Sequence, residues 1–181
     1  MPGAGKSSVG RQLARRLNHR FVDSDAVIEE RCGEPIRAIF ERDGEPHFRD
    51  IEQNVIAELA SMPQGVIGTG GGAVLREANR SCLRQATVCI YLRSTPHELI
   101  RRLRYDTRRP LLQVRDPLAK LHELYAQRDP LYREAAHFVM ETGRPSMQTL
   151  VNMILMQLEL ADLVPASAAR SPVDAGPLQG E

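Results

Sequence analysis

The chain opens on the sequence MPGAGKSS, residues 1–8, which fits the phosphate-binding P-loop pattern G-x-x-x-x-G-K-[ST] except at the leading glycine. In such a loop, glycines let successive backbone N–H groups converge on phosphate oxygens, and the following helix points its positive end at the same place. Lys6 would reach the β- and γ-phosphates, and the Ser7 hydroxyl would bind Mg²⁺. Because Val9 and Leu13 continue the motif at helical spacing, the sequence predicts a nucleotide site rather than a glycine-containing terminus without a role.

The leading glycine of the pattern would fall one residue before Met1. A P-loop follows the carboxyl end of a strand, and no residues precede the motif here to form one. We therefore expect that Met1 is an internal methionine and that the working protein begins upstream, with an apolar strand and a glycine. The alternative is a truncated, non-catalytic P-loop protein.

Composition restricts the class of protein. A chain of 181 residues with 42% hydrophobic residues suits one globular domain, and a net charge of +1 argues against a dedicated nucleic-acid surface. Its sequence has neither an apolar run of membrane-spanning length nor an apolar signal region, which favours a cytoplasmic protein. The cysteines, Cys32, Cys82 and Cys89, form no CxxC pair and suggest reduced thiols. The five histidines lack metal-ligand spacing.

Short β-rich runs alternate with helical stretches, a pattern typical of an α/β fold in which a parallel sheet is covered on both faces. The predicted strands span residues 20–23, 65–69, 87–92 and 137–141. The predicted helices span residues 7–17, 26–31, 36–42, 46–61, 96–104, 118–127 and 146–160. From residue 165 onward the sequence is dominated by Ala, Pro, Ser and Gly, which predicts a disordered tail over 165–181.

Two aspartates, Asp23 and Asp25, lie where the first predicted strand passes into a helix. Ligands of open α/β sheets gather at the carboxyl ends of strands, so both carboxylates could face a bound phosphate. Their spacing suits separate roles, one near Mg²⁺ and one near a hydroxyl to be phosphorylated. A simple helix cap is the alternative, because Asp and Ser are favoured there.

Three successive glycines, Gly70, Gly71 and Gly72, end the second predicted strand. Glycine adopts backbone conformations barred to other residues and lets a ligand approach the main chain closely. A tight turn between a strand and a helix is the plainer interpretation. The glycines gain a functional meaning only beside the other motifs.

The last group of candidate site residues consists of arginines. Arg49 lies three residues before Glu52 on one helix face, where a surface ion pair is the plain alternative. Further arginines crowd residues 101–109 and flank the sequence DPLY at 129–132. Nucleic acid is disfavoured by the near-neutral charge and the few aromatic residues. In a kinase, such arginines would stabilise charge on a transferring phosphoryl group, and a mobile segment carrying them would exclude water.

Together these motifs resemble those of the shikimate kinases, and the resemblance extends to about Leu160. The P-loop alone indicates only a nucleotide, whereas the ordered set is far more specific. It comprises Gly3–Ser7, Asp23–Asp25, Phe48–Glu52, Gly70–Gly72, Arg109–Leu112 and Gln127–Arg133.

The resemblance implies phosphorylation of the 3-hydroxyl of shikimate by MgATP, a step of aromatic amino-acid biosynthesis. It implies a P-loop kinase fold with a parallel sheet in the order 2-3-1-4-5, whose first and central strand would be absent from this chain. It also implies a domain over residues 1–164, a lid over about 105–118 and a monomeric protein.

Residue roles follow from the same resemblance. The ATP-binding positions are Gly3, Ala4, Gly5, Lys6, Ser7, Ser8, Arg102, Arg109 and Arg144. The substrate-binding positions are Asp25, Arg49, Gly70, Gly71, Gly72 and Arg128. Mg²⁺ would lie near Ser7 and Asp23, and the catalytic residues would be Lys6, Asp25 and Arg109. Asp25 would act as base or orienter, Arg49 and Arg128 would clamp the substrate carboxylate, and Arg109 would close from the lid.

A related kinase of another small hydroxy acid, such as gluconate, is the nearest alternative. The paired arginines and the Gly70–Gly72 turn favour shikimate, because fork-shaped guanidinium groups suit a carboxylate.

Overall fold

A computed structural model describes residues 1–103 and 114–165. Over these ranges it has an α/β fold in which parallel strands alternate with helices. The strands are β1 (Phe21–Asp23), β2 (Val66–Gly68), β3 (Ile90–Arg93) and β4 (Phe138–Glu141). The helices are α1 (Lys6–Leu17), α2 (Ser24–Cys32), α3 (Ile36–Ala60), α4 (Glu77–Ala86), α5 (Pro96–Leu103), α6 (Pro117–Ala135) and α7 (Met147–Leu160). A short 3₁₀ turn, Ala73–Leu75, precedes α4.

The strands form two parallel pairs. β1 pairs with β2, with Phe21 opposite Val66, and β3 pairs with β4, with Ile90 opposite Phe138. These are the pairs 2-3 and 4-5 of the expected order. Within residues 1–103 and 114–165, no strand hydrogen-bonds the two pairs together. The two strands of each pair are parallel, so their carboxyl ends lie at the same edge of the pair. Polar residues in the segments that follow the strands therefore begin at that edge, where ligands of α/β sheets bind.

The main apolar core joins the two halves. It collects buried side chains from α1, α5, α6 and α7, and Val66 of β2 and Ile90 of β3 pack against it from their separate sheets. A second apolar cluster lies between α2 and α3 and includes Ile28, Ile39 and Phe48. Burial of these helix faces, rather than continuous strand pairing, therefore holds the two sheets in one body within the described ranges.

Local sequence signals explain several helix boundaries. Asp23 caps α2 by accepting a hydrogen bond from the backbone N–H of Asp25 at 3.1 Å, and Ser146 caps α7 through the N–H of Thr149 at 3.1 Å. Asp116 caps α6 through the N–H of Ala119 at 2.9 Å. Short polar side chains at these positions satisfy N–H groups that the first helical turn leaves unpaired.

All four predicted strands are confirmed, with ends that differ by at most three residues. The predicted helices 36–42 and 46–61 are joined in α3, which bends at Gly44, where φ is 79°. Helix α6 continues past the predicted end at 127 and contains Pro130. A proline removes one backbone hydrogen bond, but Leu121, Leu124 and Ala135 on α6 are buried, and that packing outweighs the loss.

Helix α4 is missing from the sequence predictions. Leu83 and Asn79 are its buried residues, and its sequence EANRSCLRQA is mostly polar, so few apolar residues reveal the helix. The predicted lid lies largely outside the described residues, although α6 already begins at Pro117. The tail beyond residue 165 also lies outside them, and both remain predictions. In the described part of the chain, none of the helices has the length and apolar character needed to cross a membrane.

Adjacent residues of α7 provide a test of the core. Leu155 is fully buried, whereas Met156 is 55% exposed. We expect Leu155→Ala to lower the free energy of unfolding by about 2–5 kcal/mol, because it removes buried methyl groups and leaves a cavity. Met156→Ala should change it by less than about 0.5 kcal/mol. Urea unfolding followed by circular dichroism measures both values, and equal effects would contradict this packing.

Candidate active site

The P-loop has the backbone geometry that its glycines predict. Gly3 and Gly5 both have positive φ, at 74° and 86°, and α1 begins directly after Gly5. A Cβ at Gly3 would lie 2.7–2.9 Å from the side chain of Leu103, so a larger residue there would collide with α5. Ala4 is buried beneath the loop, whereas Ser7 and Ser8 are exposed at the start of α1. The loop therefore presents the positive end of α1 to solvent.

Ser7 and Asp23 lie next to each other, as predicted. The Ser7 hydroxyl donates a hydrogen bond to Asp23 Oδ2 at 3.0 Å. The other carboxylate oxygen of Asp23 caps α2, so the capping interpretation is confirmed, while the role of Asp23 near Mg²⁺ stays a prediction. Both groups offer oxygen atoms, the ligand type that Mg²⁺ prefers. No group of three or more His, Cys, Asp or Glu side chains in the described ranges could hold a metal by itself.

Lys6 extends back over the loop that precedes it. Its ammonium group donates a hydrogen bond to the Met1 carbonyl at 3.0 Å. Its charge also acts on Asp25, whose pKa it lowers against stronger opposing effects. The ammonium group therefore lies between the P-loop and the end of β1.

Asp25 lies against the glycine turn and close to a second carboxylate. A Cβ added to Gly70 would be 2.6 Å from Asp25 Oδ1 and 3.1 Å from Glu52 Oε1. Burial raises the pKa of Asp25 to about 6, with further contributions from the negative charges of Asp23 and Glu52. The backbone N–H of Gly70 donates to the buried hydroxyl of Ser24 at 3.2 Å, which holds the turn against α2. Gly70 is thus required by the close approach of two acidic side chains.

Arg49 and Glu52 form an ion pair that is not on the surface. Their side chains are 11% and 1% exposed, and Arg49 Nη1 lies 2.6 Å from Glu52 Oε2. Arg49 also contacts Glu45 at 2.7 Å, and its guanidinium lies 5.2 Å from the ring centre of Phe48. Burial raises the pKa of the Glu52 carboxyl, and the hydrogen bond from Arg49 partly opposes that effect. The surface interpretation of this pair is therefore wrong.

The same guanidinium covers Gly72. A Cβ at Gly72 would overlap the terminal nitrogens of Arg49. Arg49 from α3 and Asp25 from α2 therefore meet opposite ends of a turn only three residues long. This explains why the chain has glycine at both ends of the turn.

Helix α6 reaches the middle of the turn. The Gly71 carbonyl accepts hydrogen bonds from Arg128 Nη1 at 3.1 Å and from the Tyr132 hydroxyl at 2.6 Å. The Nε atom of Arg128 is buried without a hydrogen-bond partner in the described part of the chain. Buried donors are normally paired, so this one marks a position at which a bound anion would be stabilised.

A further polar cluster follows the ends of β3 and β4. Ser94 and Thr142 are buried and share a hydrogen bond through their hydroxyl groups. Arg102 donates to the Thr142 hydroxyl at 3.2 Å and to its carbonyl oxygen. The predicted nucleotide residue Arg102 is therefore tied to the segment after β4, and Arg144 lies exposed in that segment.

The structure thus brings together Ser7 with Asp23, Asp25 with Gly70, Arg49 with Gly72, and Arg128 with Gly71. Arg109 lies outside the described residues, and its role stays a prediction. Sequence reasoning did not assign Glu52, Ser24 or Tyr132 to the site. Glu52 and Tyr132 could have been found by helical spacing, since they follow Arg49 and Arg128 by three and four residues.

A family model described as shikimate kinase matches residues 2–159. The chain belongs to the shikimate kinase family. A shikimate kinase of Ralstonia nicotianae is 56% identical over 170 residues, which cover 94% of this chain and 90% of the relative. A shikimate kinase of Burkholderia thailandensis is 57% identical over 162 residues, covering 90% of this chain and 88% of that protein.

Solved structures agree with this assignment. A shikimate kinase from Acinetobacter baumannii in complex with shikimate has a TM-score of 0.82 and 44% identity, covering 88% of this chain and 89% of its own. A shikimate kinase from Aquifex aeolicus has a TM-score of 0.78 and 30% identity, covering 90% of this chain and 95% of its own. The predicted α/β fold class and family are confirmed, and as a shikimate kinase family member the chain is an ATP-dependent kinase.

Paired glycine substitutions test the close approach at the turn. Gly70→Ala would force a methyl group against Asp25 and Glu52, whereas Gly65→Ala meets only the Arg20 carbonyl oxygen at an ordinary 3.4 Å. We expect Gly70→Ala to lower the free energy of unfolding by about 1–3 kcal/mol through overpacking. Gly65→Ala should be neutral within about 0.5 kcal/mol. Urea denaturation of both variants decides the matter, and a neutral Gly70→Ala would refute the contact.

Proposed function

We propose that this chain transfers the γ-phosphoryl group of ATP to the 3-hydroxyl of shikimate, giving shikimate 3-phosphate, as a monomer in the cytoplasm. The observation that carries the proposal is the convergence on Gly70–Gly72 of one carboxylate, Asp25, and two guanidinium groups, Arg49 and Arg128. A small acid that carries a hydroxyl group needs both kinds of partner. The binding of shikimate by the Acinetobacter baumannii relative supports the same choice.

The ATP half of the site would be formed by the P-loop, with Gly3, Gly5 and the start of α1 providing N–H groups. Lys6 would release Met1 and bind the β- and γ-phosphates. The oxygen atoms of Ser7 and Asp23 fit Mg²⁺, which often binds through one or two protein groups plus substrate phosphates. When bound with ATP, Mg²⁺ neutralises phosphate charge.

The acid half would use Arg49 and Arg128 to hold the shikimate carboxylate. The two guanidinium groups come from α3 and α6, and each lies against a glycine of the turn, Arg49 at Gly72 and Arg128 at Gly71. Arg49 is already ordered by Glu45, Glu52 and an aromatic ring, so little side-chain freedom would be lost on binding. The glycines Gly71 and Gly72 would let the substrate ring lie close to the main chain.

Asp25 would accept a hydrogen bond from the 3-hydroxyl and orient its oxygen toward the γ-phosphorus. As that oxygen bonds to phosphorus, the bond to the β–γ bridging oxygen breaks, ADP leaves, and the hydroxyl proton passes to Asp25. Phosphoryl transfer depends mainly on positioning and electrostatics, so the orienting role of Asp25 would be the larger one. Arg109 of the predicted lid would stabilise the transferring group, and Arg102 and Arg144 would border the adenine.

The direct test is a coupled assay of ADP release by the purified full chain with shikimate or gluconate as acceptor. We expect turnover with shikimate and formation of shikimate 3-phosphate, identified by mass spectrometry. Turnover with gluconate alone would replace the proposed substrate. Absence of turnover with both acids would favour the non-catalytic alternative, and a parallel measurement of ATP binding would show whether the P-loop still functions.

The two lysines of the chain allow a matched test of the phosphate site. Lys6→Met should reduce kcat by about 100-fold to 1,000-fold, because it removes a positive charge from the transferring phosphate. Lys120→Met, on an exposed face of α6 where Lys120 pairs with Glu123, should leave kcat within about twofold. Steady-state kinetics at saturating shikimate measures both variants. Similar losses would contradict the assignment of Lys6.

Arginine-to-lysine variants test the acid half. Arg49→Lys keeps the charge but loses the fork of donors, and it should raise the KM for shikimate by about tenfold or more. The KM for ATP should change by less than about twofold. Arg37→Lys is the control, because Arg37 is 70% exposed and pairs only with Glu41 in the described part of the chain. An equal rise in both KM values for Arg49→Lys would argue against a substrate-specific role.

A further inference from the structure

We propose that the hydroxyl of Tyr132 is a positioning group for the acid substrate, which acts through the carbonyl of Gly71. The inference rests on the proposed function, because it assigns a further residue to the same acid site. Tyr132 follows Arg128 by four residues on α6, so both side chains lie on one face of the helix. Arg128 binds the substrate directly in the proposal, whereas Tyr132 acts on the turn beneath it.

The hydroxyl of Tyr132 connects two parts of the site. It donates to the Gly71 carbonyl at 2.6 Å and accepts a hydrogen bond from the Met1 nitrogen at 3.0 Å. The first contact fixes the glycine turn, and the second fixes the start of the P-loop. Burial raises the pKa of this hydroxyl, which keeps it protonated and able to donate at neutral pH.

The Tyr132 ring is held in place from behind. It stacks on Tyr91 of β3, with ring centres 4.8 Å apart, and the Tyr91 hydroxyl donates to Asp129 Oδ1 at 2.9 Å. Asp129 also binds Arg133 at 2.7 Å and Arg93 at 3.4 Å. These contacts between α6 and β3 fix the orientation of the Tyr132 ring. Its hydroxyl can therefore bind Gly71 with little further loss of conformational freedom of the side chain.

Two donors on one carbonyl fix the orientation of the Gly71–Gly72 peptide. Glycine turns are otherwise free to rotate, because glycine lacks the Cβ that restricts φ and ψ. In a planar trans peptide the N–H points opposite to the C=O, so the Gly72 N–H is directed away from α6. Within the described ranges, no backbone carbonyl accepts a hydrogen bond from that N–H. The tyrosine hydroxyl thus keeps a main-chain donor of the turn directed away from α6.

Loss of the Tyr132 hydroxyl should affect binding of the acid and not the chemical step. Loss of the hydroxyl leaves Arg128 as the one side-chain donor to the Gly71 carbonyl in the described part of the chain, and the peptide gains rotational freedom. Substrate binding must then order the turn, and the lost conformational entropy of the turn makes the binding free energy less favourable. The groups assigned to the transferring phosphate, Lys6 and Asp25, keep their contacts. Binding of the acid should weaken while the chemical step is retained.

The test compares Tyr132→Phe with wild type and with Tyr125→Phe in the full chain. Tyr125 is a second tyrosine of α6, whose ring contacts Arg93 and whose hydroxyl does not bind Gly71. We expect Tyr132→Phe to raise the KM for shikimate by about tenfold, the equivalent of one hydrogen bond, and to change kcat and the KM for ATP by less than about twofold. Tyr125→Phe should leave all three values within about twofold of wild type.

A binding measurement separates positioning from loss of folding. Isothermal titration calorimetry with shikimate should give a Kd for Tyr132→Phe that rises in parallel with the KM, while its urea unfolding remains a single cooperative transition. An unchanged KM for shikimate, or equal losses in kcat and in both KM values, would overturn the role of Tyr132. Failure of wild type to phosphorylate shikimate would instead overturn the proposed function, so the two failures are distinguishable.

Discussion

The organisation of the site depends on one steric constraint, the lack of a side chain at the Gly70–Gly72 turn. Asp25 and Glu52 approach the first glycine, Arg128 and Tyr132 bind the carbonyl of the second, and Arg49 covers the third. A Cβ at Gly70 or Gly72 would overlap these charged side chains, whereas a Cβ at Gly71 would only touch its neighbours at 3.7–3.9 Å. Three helices, α2, α3 and α6, can therefore bring polar side chains to one short segment of main chain.

Charge balance around that turn explains why the buried acids are tolerated. Burial alone makes an ionised carboxylate costly, and two neighbouring carboxylates repel each other. Here the charge of Glu52 is balanced by Arg49, and the positive charge of Lys6 partly offsets the effects of burial and of neighbouring carboxylates on Asp25. Breaking a buried pair leaves an uncompensated charge, so Arg49 has a structural function as well as its proposed function in binding. Orientation of this arginine before substrate arrives is a form of preorganisation.

Much of the fold and site could be predicted from particular residues. The P-loop glycines, the aspartates after β1 and the glycines after β2 are contiguous motifs, and each lies where the pattern of strands and helices indicated. The predictions failed where the signal depended on partners far along the chain. Helix α4 has few apolar residues, α6 continues past the predicted end at residue 127 because its buried side chains outweigh Pro130, and the plain alternative of a surface ion pair for Arg49 and Glu52 is excluded by their burial.

The sequence by itself determined the parts: the phosphate loop, the paired acids, the glycine turn and the arginines, together with the family that their order indicates. These motifs are local, because their chemistry depends on residue types only a few positions apart. Tertiary structure alone decided which parts meet. Gly71 and Arg128 are 57 residues apart and Gly71 and Tyr132 are 61 apart, yet both pairs are hydrogen-bonded. Such contacts form only when α6 packs against the 3₁₀ turn that follows the glycines, and helical spacing within α6 does not show which distant segment its residues meet.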